Sequence, residues 1–429
     1  LEMPPDGKLA DADLLLLKKW IESGATDPRV DGKAAGRKTI DIEAGRKWWS
    51  FQPIKTVQPE GEREPEHATA MIDRLIEDRL AKAGLTPAPR ADHAALIRRV
   101  SYDLTGLPPK PELIASGDAW DDKSYASYVD QLIASREFGE KWGRHWLDVA
   151  RYADSNGSSF NVPFHDAWRY RNWVIDALNR NMPIDQFIRK QIAGDLMPAN
   201  STEERDENVI ATGYLMLGSK VLGTFDKEQL TLDVIDEQVD TIGKSLLGMT
   251  LGCARCHDHK FDPLPQADYY ALAGILGSTS TLVDRIGGPK DDESDWERRG
   301  LGPGGDEALV AFLKDHRYDW VRAVGKHFEA KRKLDELEDT SDDASKRRVE
   351  LQHELELAER KLDELRAKMP PHAMAVRDAG NITDLEIRIR GVASSKGPQV
   401  PRGFLQVASY PGQPQVSDDQ SGRVELAQW

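Results

Sequence analysis

The sequence predicts a mainly α-helical protein, and three patterns carry that prediction. Apolar residues recur at helical spacing from about 67 to 285; Leu232, Ile235, Val239, Ile242 and Leu246, for instance, fall on one face. Leu351, Leu355, Ala358, Leu362 and Leu365 repeat as a heptad seam. Period-two alternation is confined to the C-terminal part, where Leu385, Ile387 and Ile389 alternate with Glu386, Arg388 and Arg390. At 429 residues the chain is long enough for two or three domains. Its formal net charge of −15 argues against nucleic acid as a partner. It holds no run of 18 apolar residues, so no transmembrane segment is expected. It begins Leu-Glu-Met and ends at Trp429, and both ends read as cut from a longer chain.

Taken in order, residues 1–25 read as a loop and an amphipathic helix. Asp11 is its N-cap, Leu14, Leu17, Trp20 and Ile21 form its apolar face, and Gly24 is its stop. Residues 26–66, rich in Gly, Pro and charge, read as a linker, with the aromatic knot Trp48-Trp49-Ser50-Phe51-Gln52-Pro53 expected to dock on a neighbouring domain. Residues 67–285 form the helical domain. Its helices are expected around Ile72–Leu80, Ala94–Leu104, Tyr125–Ala134, 138–153, 166–180 and 183–196, the last with Pro183 in its first turn. Residues 286–370 read as a loop at 286–305 and an antiparallel coiled-coil arm. In that arm Val324, Phe328, Leu334 and Leu337 face the heptad seam, and Asp339 to Asp343 make the turn. Residues 371–429 read as the start of a further, β-containing domain, with a second strand near Phe404, Leu405 and Val407.

The chemistry concentrates at Gly252 to Asp262, which holds both cysteines of the chain. Cys253, Cys256 and His257 form C-x-x-C-H, the attachment pattern of a c-type haem. Two thiols three residues apart can each add to one vinyl group of a porphyrin, and the histidine that follows becomes the proximal iron ligand. That reading makes the chain a helical c-type cytochrome-like protein that matures outside the cytoplasm. A thioredoxin-like pair, half of a zinc site and a local disulfide are the alternatives. Zinc lacks two further ligands, since His257 and His259 would crowd four ligands into seven residues. A thioredoxin-like pair follows a strand, and the flanks here are helical.

Several stretches resemble the large multidomain planctomycete cytochrome-type proteins. They are Gly106-Leu107-Pro108-Pro109, Trp142 to Ser155, Ala193-Gly194-Asp195-Leu196 and Gly252 to Pro263, with Pro401 to Leu405 and Ser421 to Ala427 further on. The resemblance implies a secreted, periplasmic or extracellular protein whose residues 1–25 are the end of a preceding cytochrome c-like domain. Met3 would then be the axial ligand of a second, upstream haem.

The distal ligand has to come from elsewhere in the chain, because His259 cannot wrap around the ring. His259 is expected to bond a propionate or a nearby carboxylate. His145, between Arg144 and Trp146, is the first distal candidate, then His165, then Met249 or Met216. Arg144, Asp148, Arg151 and Asp154 would share one stripe of a helix over 138–153. With Asp258, His259, Lys260 and Asp262 they could build a polar pocket beside the haem, with a catalytic or calcium-binding role as a further reading. Asp236, Glu237 and Asp240 are candidates for the same network.

Three functions compete. The first is electron transfer by a haem c module to a redox partner protein or to other domains of the same polypeptide. The second is a haem-dependent oxidoreductase, peroxidase-like or acting on carbohydrate. The third is a haem-free scaffold that assembles into an oligomer through its helical arm.

Overall fold

Apolar spacing of three and four residues is realised as helix through most of the chain. The computed structural model describes residues 9–25, 40–54, 68–115, 120–158, 161–222, 226–282, 296–337 and 341–429. Two units separate at Asp41/Ile42. In the first, α1 (Asp11–Glu22) exposes its apolar face, and Gly24 ends it in the left-handed region as expected. Asp11 is not the cap: Ala10 holds that position, and Asp11 and Asp13 lie in the first turn, where the helix dipole favours acids. Met3 lies outside the described residues.

The second unit opens with the short α2 (Ile42–Arg46) and a 3₁₀ turn over Trp49–Phe51. Of the aromatic knot only Phe51 packs on the core, while Trp48 and Trp49 remain exposed. Then come α3 (Ala68–Lys82), α4 (His93–Thr105), α5 (Pro111–Ala115), α6 (Asp122–Ile133), α7 (Arg136–Val149), α8 (Ala167–Asn179) and α9 (Ile184–Ala193). Asp92, Asp121 and Ser201 each accept a backbone N–H at a helix start, which fixes α4, α6 and α10 (Thr202–Ala211). Pro183 sits at the N-cap of α9 rather than inside its first turn. The short α11 (Gly213–Met216) leads to α12 (Lys227–Ile242) and α13 (Gln266–Gly277).

From α7 onward these helices share one core. Trp173 stacks on Tyr170 and Phe187, and Gln191 accepts both Tyr170 Oη at 2.6 Å and Trp146 Nε1 at 2.9 Å. Val376, Phe404, Leu405, Val407 and Leu426 belong to the same core. The change of pattern at 371 is therefore a change of secondary structure, and the packing continues through it.

The arm springs from a two-stranded antiparallel sheet, β2 (Arg298–Gly300) with β3 (His372–Met374). Between them run α14 (Gly305–Asp335) and α15 (Asp342–Lys368), antiparallel, with Ser341 capping the second. The heptad seam is inward as expected: Leu351, Ala358, Leu362 and Leu365 are buried, and Val324 and Phe328 face Leu362 and Leu365 in one cluster. β1 (Thr279–Ser280) pairs with β4 (Arg377–Asp378).

β5 (Leu385–Arg388) pairs with β6 (Lys396–Val400), with a register shift between Glu386 and Arg388. That bulge overturns the predicted alternation. Arg388 is 4% exposed and ion-paired to Glu228 and Glu386, while Ile389 is 51% exposed. Phe404, Leu405 and Val407 form no strand; they are buried around a 3₁₀ turn over Gln406–Ala408.

Candidate functional site

The site is built where α12 stops. Its last turn widens into a π-helical turn over Gly243–Leu247, and Gly248 reverses the chain at φ +64°. Gly243 is required by the close return: a Cβ there would lie 2.6 Å from Leu251 Cγ and 2.7 Å from Met249 O. The chain re-enters as a 3₁₀ turn over Leu251–Arg255, in which Leu251 and Ala254, three apart, are fully buried. The same spacing turns Cys253, Cys256 and His257 outward, and both cysteines are exposed free thiols.

Arg255 fastens this turn to α12, pairing with Asp233 at 2.8 Å and Asp236 at 3.1 Å. Burial alone would depress its guanidinium; the hydrogen bond to Asp233 and the charge of Asp236 more than offset it, so its pKa lies above the ordinary arginine value. Tyr269 donates to Asp236 at 2.6 Å. From α13, Gln266 Nε2 and Tyr270 Oη donate to Arg255 O at 2.9 and 3.0 Å, and each also approaches Arg388 O at 3.4 Å. The cysteine turn and the end of β5 are thus held by the same two side chains. The short α2 abuts Pro263 at the end of this stretch, where a Cβ on Gly45 would lie inside contact distance of the proline ring.

The two histidines play different parts. His257 is exposed; its Nδ1 lies 2.7 Å from Asp258 O, which places the proton on Nδ1 and leaves Nε2 as the lone-pair nitrogen. His259 is buried, and both of its nitrogens are used. Nδ1 accepts the N–H of Asp262 at 2.8 Å and of Phe261 at 3.3 Å, and Nε2 donates to Thr250 Oγ1 at 3.0 Å. The expected propionate contact is therefore not available to it. Its approach to Asp262 Oδ2 at 3.3 Å is not an ion pair, because the near nitrogen carries no proton. His259→Phe should lower the unfolding free energy by about 1–3 kcal/mol by orphaning these donors and acceptors. Denaturant unfolding checks the loss, and faster amide exchange at Asp262 localises it.

The polar pocket does not assemble. Asp258 Oδ1 accepts the N–H of Gln266 at 2.9 Å and starts α13, and Lys260 lies over the Phe261 ring. The expected stripe fails because α7 ends at Val149 and Arg151 turns inward at φ +49°. Arg144 and Asp148 stay exposed on α7, and Asp154 lies beyond it, accepting from Tyr152 Oη at 2.8 Å. Arg151 instead makes a two-pronged pair with Glu237, Nη2 to Oε2 at 2.6 Å, and donates to Tyr214 O at 2.7 Å and Leu217 O at 3.1 Å. Asp240 pairs with Lys244.

The distal candidates are dispersed. His145 is exposed beside Trp142 on α7, which packs on α4 and α8, whereas the cysteine turn packs on α12 and α13. His165 is exposed just ahead of α8, Met216 is fully buried in the core, and Met249 is half-buried in the return turn. Among the described residues no group of three His, Cys, Asp or Glu side chains is arranged to hold a metal ion.

Two buried polar clusters went unnoticed in the sequence. Lys220, 2% exposed, donates to Leu217 O at 2.9 Å and lies over the rings of Phe164 and Trp296. Arg423, fully buried, joins Asp195 and Asp378. The only signal for the second was that Asp195 and Arg423 each sit in a motif-like stretch.

Residues 71–281 match the family model PSCyt2, described as a protein of unknown function (DUF1549). The matched span runs from α3 to β1 and includes the cysteine turn. No match was found among curated proteins or among solved structures.

Proposed function

We propose that Cys253 and Cys256 carry one covalently attached haem c with His257 as its proximal ligand, and that the chain transfers electrons to a redox partner or to another domain of the same polypeptide. One observation carries the reading. A turn braced by Arg255, His259, Gln266 and Tyr270 presents two free thiols and the unprotonated nitrogen of a histidine to solvent. Each thiol adds across one vinyl group, its sulfur taking one carbon and its proton the other, so attachment needs no oxidant. The Asp258 carbonyl fixes the His257 tautomer and makes its free nitrogen the better donor. When bound, haem supplies a one-electron couple. The reading places the protein in the periplasm or outside the cell, where such haems mature.

A haem-dependent oxidoreductase is a second reading, favoured by the burial of Met216 in the core and by the separate packing of His145, which set aside two of the distal candidates. Carbon monoxide or cyanide difference spectra separate the two, because only an open distal position binds them readily. The haem itself is tested by a pyridine haemochrome of protein produced in a host with a c-type maturation system. A band typical of two thioethers is expected from the wild type. A shift toward the single-thioether position is expected from Cys253→Ser or Cys256→Ser, and no band from the double variant. A wild type without a band would overturn the redox readings and leave the scaffold.

A further inference from the structure

We infer that the tip of the β5–β6 hairpin, residues 389–392, is part of the porphyrin seat, and that Gly391 is the positioning residue that lets Cys256 bond there; the inference rests on the haem reading above. The tip lies some 130 residues beyond the motif, yet its backbone touches the motif's second sulfur. Gly391 adopts φ +73°, and a Cβ on it would lie 2.5 Å from Cys256 Sγ, well inside contact distance. Arg390 beside it is also left-handed, at φ +56°, a conformation a non-glycine residue holds only where its surroundings impose it.

Those surroundings are specific. The bulge between Glu386 and Arg388 buries Arg388 and turns Ile389 out, against the alternation of the strand. Ile389 N–H donates to Ser395 O at 2.8 Å, and Ser395 N–H to Val392 O at 3.0 Å, closing the tip. Gln266 and Tyr270 then tie Arg388 O to Arg255 O, so the tip and the cysteine turn keep one spacing. The outcome is two exposed aliphatic side chains, Ile389 at 51% and Val392 at 49%, on either side of the glycine that meets the thiol. A porphyrin is a flat apolar ring with two carboxylates at one edge. Exposed aliphatic side chains within two residues of the glycine that meets the sulfur suit the ring, and the exposed Arg390 supplies a cation for a carboxylate.

The test uses trypsin, because cleavage after Lys244, Arg255 and Lys260 puts the two cysteines on separate peptides, Ser245–Arg255 and Cys256–Lys260. In wild-type protein matured with haem the two peptides should be recovered joined through one haem. Gly391→Val should lose the joined species and leave Cys256–Lys260 with a free thiol while Ser245–Arg255 carries the haem. Gly412→Val is the control for backbone strain alone, since Gly412 is also left-handed, at φ +82°, with open space around it; it should keep the joined species. Should Gly391→Val fail to fold, the surface pair Ile389→Ser/Val392→Ser tests the same seat and should reduce haem occupancy. A haem-independent arm measures iodoacetamide alkylation in the apo protein. There Gly391→Val should change the Cys256 rate and leave the Cys253 rate alone. Wild-type occupancy and joined peptides in Gly391→Val or in the serine pair would overturn the inference. Haem missing from the wild type would overturn the underlying reading instead, and the alkylation arm would still decide whether Gly391 positions Cys256.

Discussion

Arg423→Met should lower the free energy of unfolding by about 3–5 kcal/mol, the loss that follows when one partner of a buried ion pair is removed. Arg423 has no solvent exposure; Nη1 reaches Asp195 Oδ1 at 2.6 Å, and Nη2 reaches Asp195 Oδ2 at 2.9 Å and Asp378 Oδ1 at 2.7 Å. Burial acts against the guanidinium, and the hydrogen bonds and charges of Asp195 and Asp378 together outweigh it, so the group stays charged. With methionine in its place, the Asp195 carboxylate, whose side chain is 1% exposed, keeps Arg299 at 3.5 Å as its cation among the described residues. The damage should spread from there, because this pair ties α16 (Arg423–Gln428) to the end of α9. Adding Asp195→Asn should recover part of the loss, since the two residues act as one unit. Equilibrium denaturation of the two single variants and the double closes the cycle; additive losses would contradict the pairing.

Lys220→Met should change the dependence of stability on pH. Burial depresses the Lys220 ammonium to about 7 from its ordinary 10.5, with Glu237 opposing that shift and Arg151 adding to it. Between those values the unfolded chain binds a proton that the folded chain does not, so wild-type stability rises with pH. The penalty is therefore complete below pH 7, falls as pH climbs through the window, and is gone above 10.5. Wild type should gain about 3 kcal/mol on Lys220→Met between roughly pH 6.5 and 9.5. Urea midpoints across that range provide the measurement. Parallel curves for the two proteins would show that Lys220 keeps its proton throughout.

Local pattern made the helices legible. The stripe from Leu232 to Ile242 is buried as expected, and so is the heptad seam from Leu351 to Leu365, because spacing sets the apolar face and here a packed partner covers it. Boundaries failed where a long-range partner decides them. Nothing near Arg151 announces that α7 stops two residues earlier so that this arginine can reach Glu237, and the predicted stripe through Asp148 and Asp154 fell with that bend. Arg388 failed in the same way: alternation placed it outside, and Glu228, which lies 160 residues earlier, draws it in through a bulge.

At the site, the sequence showed the three groups that would hold a haem, because C-x-x-C-H is local chemistry. The surrounding roles depended on hydrogen bonds that spacing does not encode. His259 proved to be the brace of the loop. Asp236 and Glu237, adjacent on α12, serve two different arginines, Arg255 and Arg151. Gly391 carried no signal at all, since only the folded hairpin brings it to Cys256.

The most direct test of the haem reading is a tryptic peptide map of the wild-type chain produced with a c-type maturation system. Ser245–Arg255 and Cys256–Lys260 should travel as one species joined through a single haem. Two separate peptides, each with a free alkylatable thiol, would contradict it.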